Sequence, residues 1–283
     1  MKEDVRMEAY FRHFVVTGLE RNLPLHLNTV GYHHHQEPIS REEGFPCFHW
    51  LHTVQGSGIF TVNGRTEKLS ANQGILLRPN VPHSYRAETP VWSVWFLTFG
   101  GSLASSITSA LDLQHMRPIG WEEDAPLAGI HREFAEKCRF SFDLAGINGT
   151  LEVFTFLVRL RQFGRVNGQP SLSSWHERLT PVYHAIEKQF ADPDLGLDKL
   201  AAVLSVSPQH LNALFRKNWG LSPYQYLLRF RIQKAKELLL SEPQRPVKEI
   251  ARAVGFRETS HFIRMFRKMS GVTPTHFRRQ YGQ

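Results

Sequence analysis

Leu197 to Tyr226 reads LDKLAAVLSVSPQHLNALFRKNWGLSPYQY, and Val247 to Phe277 repeats the pattern as VKEIARAVGFRETSHFIRMFRKMSGVTPTHF. Leu200-Ala201, Leu204, Leu211, Phe215-Arg216-Lys217, Gly220 and Pro223 correspond to Ile250-Ala251, Val254, Phe262, Phe266-Arg267-Lys268, Gly271 and Pro274. The offset is 50 residues before the central turn and 51 after it. One residue inserted in a turn, with the same apolar spacing on both sides, describes a duplicated helix-turn-helix unit. The pattern predicts two DNA readers in one chain.

Local signals place the helices. Asp198 is the expected cap of a short helix over Lys199 to Leu204, and Ser207-Pro208 opens the next, which ends at Trp219-Gly220. Leu211, Leu214 and Phe215 then face inward. Gln209, His210, Asn212, Ala213, Arg216 and Lys217 face out. In the second copy the outward set is Thr259, Ser260, His261, Ile263, Arg264, Arg267 and Lys268. Outward residues in the first turns of such a helix can reach base edges in the major groove. Gln209, His210, Asn212, Ala213, Thr259, Ser260, His261 and Arg264 are therefore the candidate base readers. Arg264 has the fork that bonds guanine bidentately. Arg216, Lys217, Arg267 and Lys268 are the candidate phosphate ligands, which position the protein without reading sequence. Tyr224 to Leu240 carries the apolar spacing of one long helix, bounded by Pro243 and Pro246 and suited to hold the two readers about one DNA turn, ~34 Å, apart.

Charge follows the repeat. From Trp175 onward 18 Lys+Arg face 9 Asp+Glu, a net of +9, while the first 174 residues hold 16 against 17, a net of −1. A basic half that coincides with the duplicated unit is the footprint expected of a protein that meets phosphates. At 283 residues the chain is long enough for two cores. No stretch approaches the roughly 20 apolar residues of a membrane span, and the charged first ten residues are unlike a signal peptide, so a cytoplasmic protein is expected. Cys47 and Cys138 lie far apart in sequence and are expected to be small buried apolar residues rather than a disulfide or a metal pair.

The first half is written differently. Met1 to Leu25 has no clear period, with Phe14-Val15-Val16 its one candidate strand. From His26 to Phe99 short apolar runs alternate with turn signals, namely His26 to Val30, Phe48 to Val54, Gly58 to Val62, Gly74 to Leu77 and Val91 to Phe99. Asn63-Gly64 between two runs is a strong hairpin signal, because a type I′ turn needs positive φ at both central positions. Short strands at this spacing predict a barrel or sandwich. Helical periods follow over Leu103 to Leu113, Asp124 to Phe140 and Ile147 to Phe163, the last placing Leu151, Phe154, Leu157 or Val158 and Arg161 around one face. Gly164 to Ser174 reads as a linker, and Thr180-Pro181 as the cap that opens the next helix.

The histidines His26, His33, His34, His35, His49, His52 and His83 crowd this half, together with Phe48, Trp50, Trp92, Trp95, Phe96 and Phe99. A metal site would need three His and usually one carboxylate to converge, with His33, His35, His52 and His83 the candidates, but no His-x-His with a suitably spaced Glu occurs. A polyhydroxylated ligand wants an aromatic platform with polar groups at its rim, and Trp50, His52, Gln55, His83, Tyr85, Trp92 and Phe96 could supply both.

Gly56-Ser57-Gly58, the Asn63-Gly64 hairpin and the run from Gly74 through Arg78-Pro79 to His83-Ser84-Tyr85 resemble the cupin jelly-roll of the AraC/XylS family of transcription regulators. Ala71-Asn72-Gln73-Gly74 departs from that family's Pro-Gly-Asp but keeps the glycine. Phe230 to Leu239, Val247 to Ala251, Val254-Gly255-Phe256, Phe262 with Phe266-Arg267-Lys268, and Gly271-Val272-Thr273-Pro274 are similar to the family's DNA-binding signature throughout. Thr259-Ser260-His261 replaces a more usual polar run there.

The resemblance implies an α+β chain. A cupin-like effector-binding and dimerisation domain would occupy residues 1–164, with helices flanking its barrel, a linker residues 165–178, and an all-α double helix-turn-helix domain residues 179–283. By position, Gln55, His83, Tyr85 and Phe96 match places where arabinose-type regulators contact their sugar. The expected partners are promoter or operator DNA, a sugar-type effector, RNA polymerase and a second copy of the chain, with no membrane, no cofactor, no metal and no catalytic residue. The function implied is a ligand-responsive activator of carbohydrate-utilisation genes. Two alternatives stay open, a metal-dependent cupin enzyme fused to a DNA reader and a DNA-binding protein whose barrel only dimerises.

Overall fold

A computed structural model describes residues 8–140, 144, 146–166 and 168–282. The chain divides into two compact units, Met1–Ser174 and Trp175–Gln283.

The first unit is built of antiparallel strands: β1 (Tyr10–His13), β2 (His26–His33), β3 (Ile39–Arg41), β4 (Phe48–Gln55), β5 (Ser57–Val62), β6 (Arg65–Ser70), β7 (Gln73–Leu77), β8 (His83–Ala87), β9 (Ser93–Gly100), β10 (Ile119–Gly120) and β11 (Arg165–Val166). They form a seven-stranded sheet in the order β1-β2-β9-β4-β7-β10-β11 and a four-stranded sheet in the order β3-β8-β5-β6. The hairpin signal is accurate: Val62 pairs with Arg65, and Asn63 and Gly64 sit at φ 51° and 73°. The expected strand at Phe14 lies four residues earlier, where β1 pairs with β2; Phe14 itself is buried and Val15 exposed.

The large sheet buries both faces. Leu51, Ile75, Leu77, Val94 and Phe96 join Phe60, Val62, Leu69, Tyr85 and Trp92 in one core cluster. Phe48, Trp50, Leu76, Trp95, Leu97 and Phe99 point the other way, into a cluster completed by α2 (Ile130–Phe140) and α3 (Ile147–Phe163), which follow the short α1 (Ala104–Ala110). In α3 the buried residues are Gly149, Val153, Phe156, Leu157 and Leu160, whereas Leu151 and Phe154, expected on the same face, are exposed. Neither cysteine is bonded; Cys138 is buried, but Cys47 is only half-buried, short of the expected apolar burial.

The second unit is helical: α4 (Leu172–Gln189), α5 (Leu197–Ala202), α6 (Pro208–Trp219), α7 (Pro223–Ser241), α8 (Val247–Ala253), α9 (Thr259–Ser270) and α10 (Pro274–Tyr281). Thr180-Pro181 does not open a helix. Both lie inside α4, and the Thr180 hydroxyl donates back to the His176 carbonyl, 3.0 Å away and one turn earlier. Residues 172–178, expected in a linker, are helical. Asp198 does not cap α5 either; it lies in the first turn, where its charge suits the helix dipole, and Gly196 holds the cap position.

The copies superpose in punctuation. α6 and α9 have 12 residues each and end on the left-handed glycines Gly220 and Gly271. Each is followed by a capped, proline-led helix: Ser222 accepts from Gln225 N in a capping box, and Thr273 accepts from His276 N. α7 is a 19-residue rod, about 28 Å long. Leu211 and Phe215 of α6 pack with Leu227 of α7 in one core, and Phe262 and Phe266 of α9 pack with Leu228, Ile232 and Leu239 of α7 in another.

Candidate nucleic-acid interface and ligand site

Helical period sets the outer faces of the two equivalent helices. On α6, Gln209, His210, Ala213, Arg216 and Lys217 are exposed and Asn212 half-buried. The Ser207 hydroxyl accepts the His210 amide at 3.1 Å, so the helix starts with its first polar residues pointing outward. On α9, Ser260, Ile263, Arg264, Arg267 and Lys268 are exposed and line, with Gly271 and Thr273, an open groove of about 740 Å³. Thr259 is half-buried at the helix start. His261 is half-buried, its ring edge-on to Phe256 at 5.5 Å. Ile263, also in the outward set, is an exposed apolar group beside Arg264, of a kind that can meet a thymine methyl. The groove thus carries three cations and one apolar contact on a single helical face, the composition that grips phosphates and reads base edges together.

In the first unit the sequence-predicted ligand set is split by the pleat. Successive residues of a strand point to opposite faces. Trp50 and His52 share one face of β4, where Trp50 packs on Phe156 at 5.5 Å and Trp121 at 6.1 Å, and His52 on Trp121 at 4.7 Å and His131 at 5.7 Å. They belong to the helix-covered core and cannot join a site between the sheets. Gln55 is exposed at the end of β4, past an irregularity in its pairing with β9. His83, Tyr85, Trp92 and Phe96 do come together between the sheets. His83 and Tyr85 each stack on Phe60, at 5.9 and 5.4 Å, and Tyr85 meets Trp92 edge-on at 6.0 Å.

Arg41, which sequence reasoning missed, and His49, named there only among the histidines, complete this cluster. Arg41, opposite His83 in the β3–β8 register, places its Nη1 3.4 Å from His83 Nε2 and 3.4 Å from His49 Nδ1, with its guanidinium 4.8 Å from the centre of the Phe45 ring. His83 Nδ1 lies 2.7 Å from the Val81 carbonyl, so Nδ1 carries the proton and Nε2 accepts from Arg41. Burial, then the Arg41 charge, then His83 hold the His49 imidazole well below its ordinary pKa. Burial also lowers His83, with the Val81 hydrogen bond opposing and the Arg41 charge assisting. Tyr85 is raised by burial, against Arg41. Among the described residues no carboxylate pairs with Arg41. The cluster therefore presents one uncompensated cation, two neutral imidazoles, one phenol and flat apolar rings, a set that can hydrogen-bond hydroxyls or an acidic group over an aromatic floor.

The histidines weighed as metal ligands do not converge. His52 and His83 face opposite sides of the large sheet, and among the described residues no three His, Cys, Asp or Glu side chains gather as a metal set.

Comparison with known proteins agrees with both halves. Residues 27–141 match the family described as AraC-like ligand binding domain, and residues 200–280 match a helix-turn-helix domain family. This chain belongs to the AraC/XylS family of transcription regulators. The Msm operon regulatory protein of Streptococcus mutans is 26% identical over 233 residues, 80% of this chain and 82% of that one. The arabinose operon regulatory protein of Escherichia coli is 36% identical over 101 residues, 36% of this chain and 34% of its own length. The C-terminal domain of the response regulator yesN from Fusobacterium nucleatum is 36% identical, covering 34% of this chain and 93% of that domain, with a TM-score of 0.33. Apart from the Msm protein, the curated relatives are matched over 13–48% of their own lengths. The chain is a DNA-binding transcription regulator with an AraC-like ligand-binding domain. Among the described residues no helix is long and apolar enough to cross a membrane.

Proposed function

We propose that this AraC/XylS regulator senses a small polyhydroxylated or acidic sugar-type effector between its two β-sheets and activates carbohydrate-utilisation genes from a cytoplasmic homodimer bound to operator DNA. The observation that carries the effector reading is the Arg41, His49, His83, Tyr85 cluster. A half-buried guanidinium with no carboxylate partner among the described residues, beside neutral imidazoles and stacked rings, leaves its donors turned to whatever polar group enters between the sheets. Two relatives are named for an arabinose operon, each matched over 36% of this chain. Trp92 and Phe96 supply the apolar walls in this reading; Trp50, His52 and Gln55 are dropped from the site. Residues 1–174 hold the effector and residues 175–283 the DNA, with RNA polymerase as the protein that responds.

The test is a thermal-shift screen of neutral sugars, sugar acids and sugar phosphates against the intact chain. One class is expected to raise Tm, and Arg41→Gln is expected to abolish the shift while leaving Tm without ligand within a few degrees. No stabilisation by any class, with specific operator binding intact, would leave the barrel as a dimerisation element only.

A further inference from the structure

Arg231 stands out because a buried cation in α7 makes no ion pair with a carboxylate among the described residues. Its side chain is 3% exposed. Instead Nε donates to the Phe190 carbonyl at 2.8 Å and Nη2 to the Asp192 carbonyl at 2.7 Å. Those oxygens belong to the end of α4 and the turn after it, where the last helical carbonyls have no partner within the helix and carry its negative pole. On its other side the guanidinium faces Phe256, 5.8 Å from the ring centre, in the turn of the second helix-turn-helix unit. The backbone of Gly255 comes so close that a Cβ there would stand 2.9 Å from Arg231 Nε and 2.4 Å from the Phe190 carbonyl. Phe190 packs against both helical cores, and an Asp194–Arg257 ion pair joins the same two turns at the surface. One side chain therefore ties the frame of the first reader to the turn of the second.

We propose that Arg231 is the positioning residue that fixes the twist and separation of α6 and α9, and through them the spacing between the two DNA segments the chain accepts. The proposal rests on both helices being DNA readers. α6 and α9 each pack on α7, so the joint between the units controls their relative angle. Each base pair inserted between two contacted segments moves the second by about 3.4 Å and about 35°. A pair of helices locked together cannot follow that displacement, whereas a loosened pair can.

The experiment uses the intact chain and duplexes selected by it from a random pool. Footprinting first maps the contacted segments, and the spacer between them is then lengthened or shortened by one or two base pairs. The wild type is expected to lose affinity about tenfold per base-pair step, an energy of roughly 1.4 kcal/mol. Arg231→Met keeps the length and the apolar stem but neither hydrogen bond. It is expected to flatten that loss to about threefold or less while keeping near wild-type affinity for a duplex carrying one segment alone. Arg231→Lys can reach one carbonyl and is expected to fall between. Circular dichroism and a thermal melt establish folding; if the methionine variant does not fold, the lysine variant decides by the same profile. Variants that lose affinity equally at every spacing, or that keep the wild-type profile, overturn the proposal. A wild-type footprint of one segment, or a flat wild-type spacing profile, instead rejects the two-reader reading on which it rests.

Discussion

Gly255 and Gly220 both adopt left-handed backbone, at φ 84° and 66°, yet the space around them differs. A Cβ at Gly220 would meet nothing within 4 Å, so Gly220→Ala is expected to cost only the conformational penalty, about 1 kcal/mol. Gly255→Ala adds the collision with the Phe190 carbonyl and Arg231, and a loss above ~2 kcal/mol in urea unfolding is expected. Equal losses at the two glycines would mean that the close approach at Gly255 contributes nothing. Histidine burial gives a second outcome at this scale. His52 and His131 face each other on the helix side of the large sheet. Burial first, with the other's charge or that of Arg132 assisting, holds His52 well below its ordinary pKa and pushes His131 down to about 4. Both are neutral when folded but bind protons near pH 6.5 when unfolded. For His131 the unfolded state therefore takes up more protons between pH 6.5 and about 4, and stability falls as pH drops through that window, by up to about 1.4 kcal/mol per pH unit, with His52 acting in the same direction. His131→Phe is expected to reduce that slope in urea titrations. An unchanged slope would show that His131 is not buried as described.

Helix α3 carries Ile147, Leu151 and Phe154 outward, 69%, 58% and 45% exposed, at the i, i+4, i+7 spacing of a coiled-coil seam. A second copy is the proposed cover, and Leu151→Glu with Phe154→Glu is expected to shift sedimentation from dimer to monomer at unchanged helicity. A wild type that sediments as a monomer at tens of micromolar, with the mutant identical, would remove that role. α3 was legible in the sequence to its end residues, but its sides were not. With apolar residues nearly all round, the period does not say which stripe meets the core. β4 shows the same limit. Phe48-His49-Trp50-Leu51-His52 has no polar alternation because both faces are buried, so the pleat that sends His49 inward and His52 to the helices left no mark in the text. β3 is three residues long and half-exposed, too short to show a pattern, and Arg41 went unnoticed with it. Its register against His83 is a long-range fact that no local window contains.

Across the whole chain the duplicated unit and the charge imbalance were legible because both are sums over many residues. The helical path through residues 172–178 was not, since Gly, Pro and Ser nearby gave a local turn signal that the period of α4 overrides. Four cations on the two recognition helices, Arg216, Lys217, Arg267 and Lys268, imply a slope of log affinity against log salt of about −3.6 or steeper on duplex DNA. Lys268→Ala is expected to reduce it by about 1 for cognate and random DNA alike. Arg264→Ala is expected to leave the slope nearly intact and to cost ~1–3 kcal/mol on the cognate site alone. Equal effects of Arg264→Ala on both DNAs would move Arg264 from base reader to phosphate ligand. The equal lengths of α6 and α9, their matching glycine stops and their proline-led successors make the two helices interchangeable cassettes. In the proposed reading their specificity lies in outward side chains, so the outward residues of one are expected to be transplantable onto the other. A chain bearing the α9 set twice would convert an asymmetric operator into a direct repeat, and the family's way of acquiring new targets would then be substitution on a fixed frame rather than refolding of it.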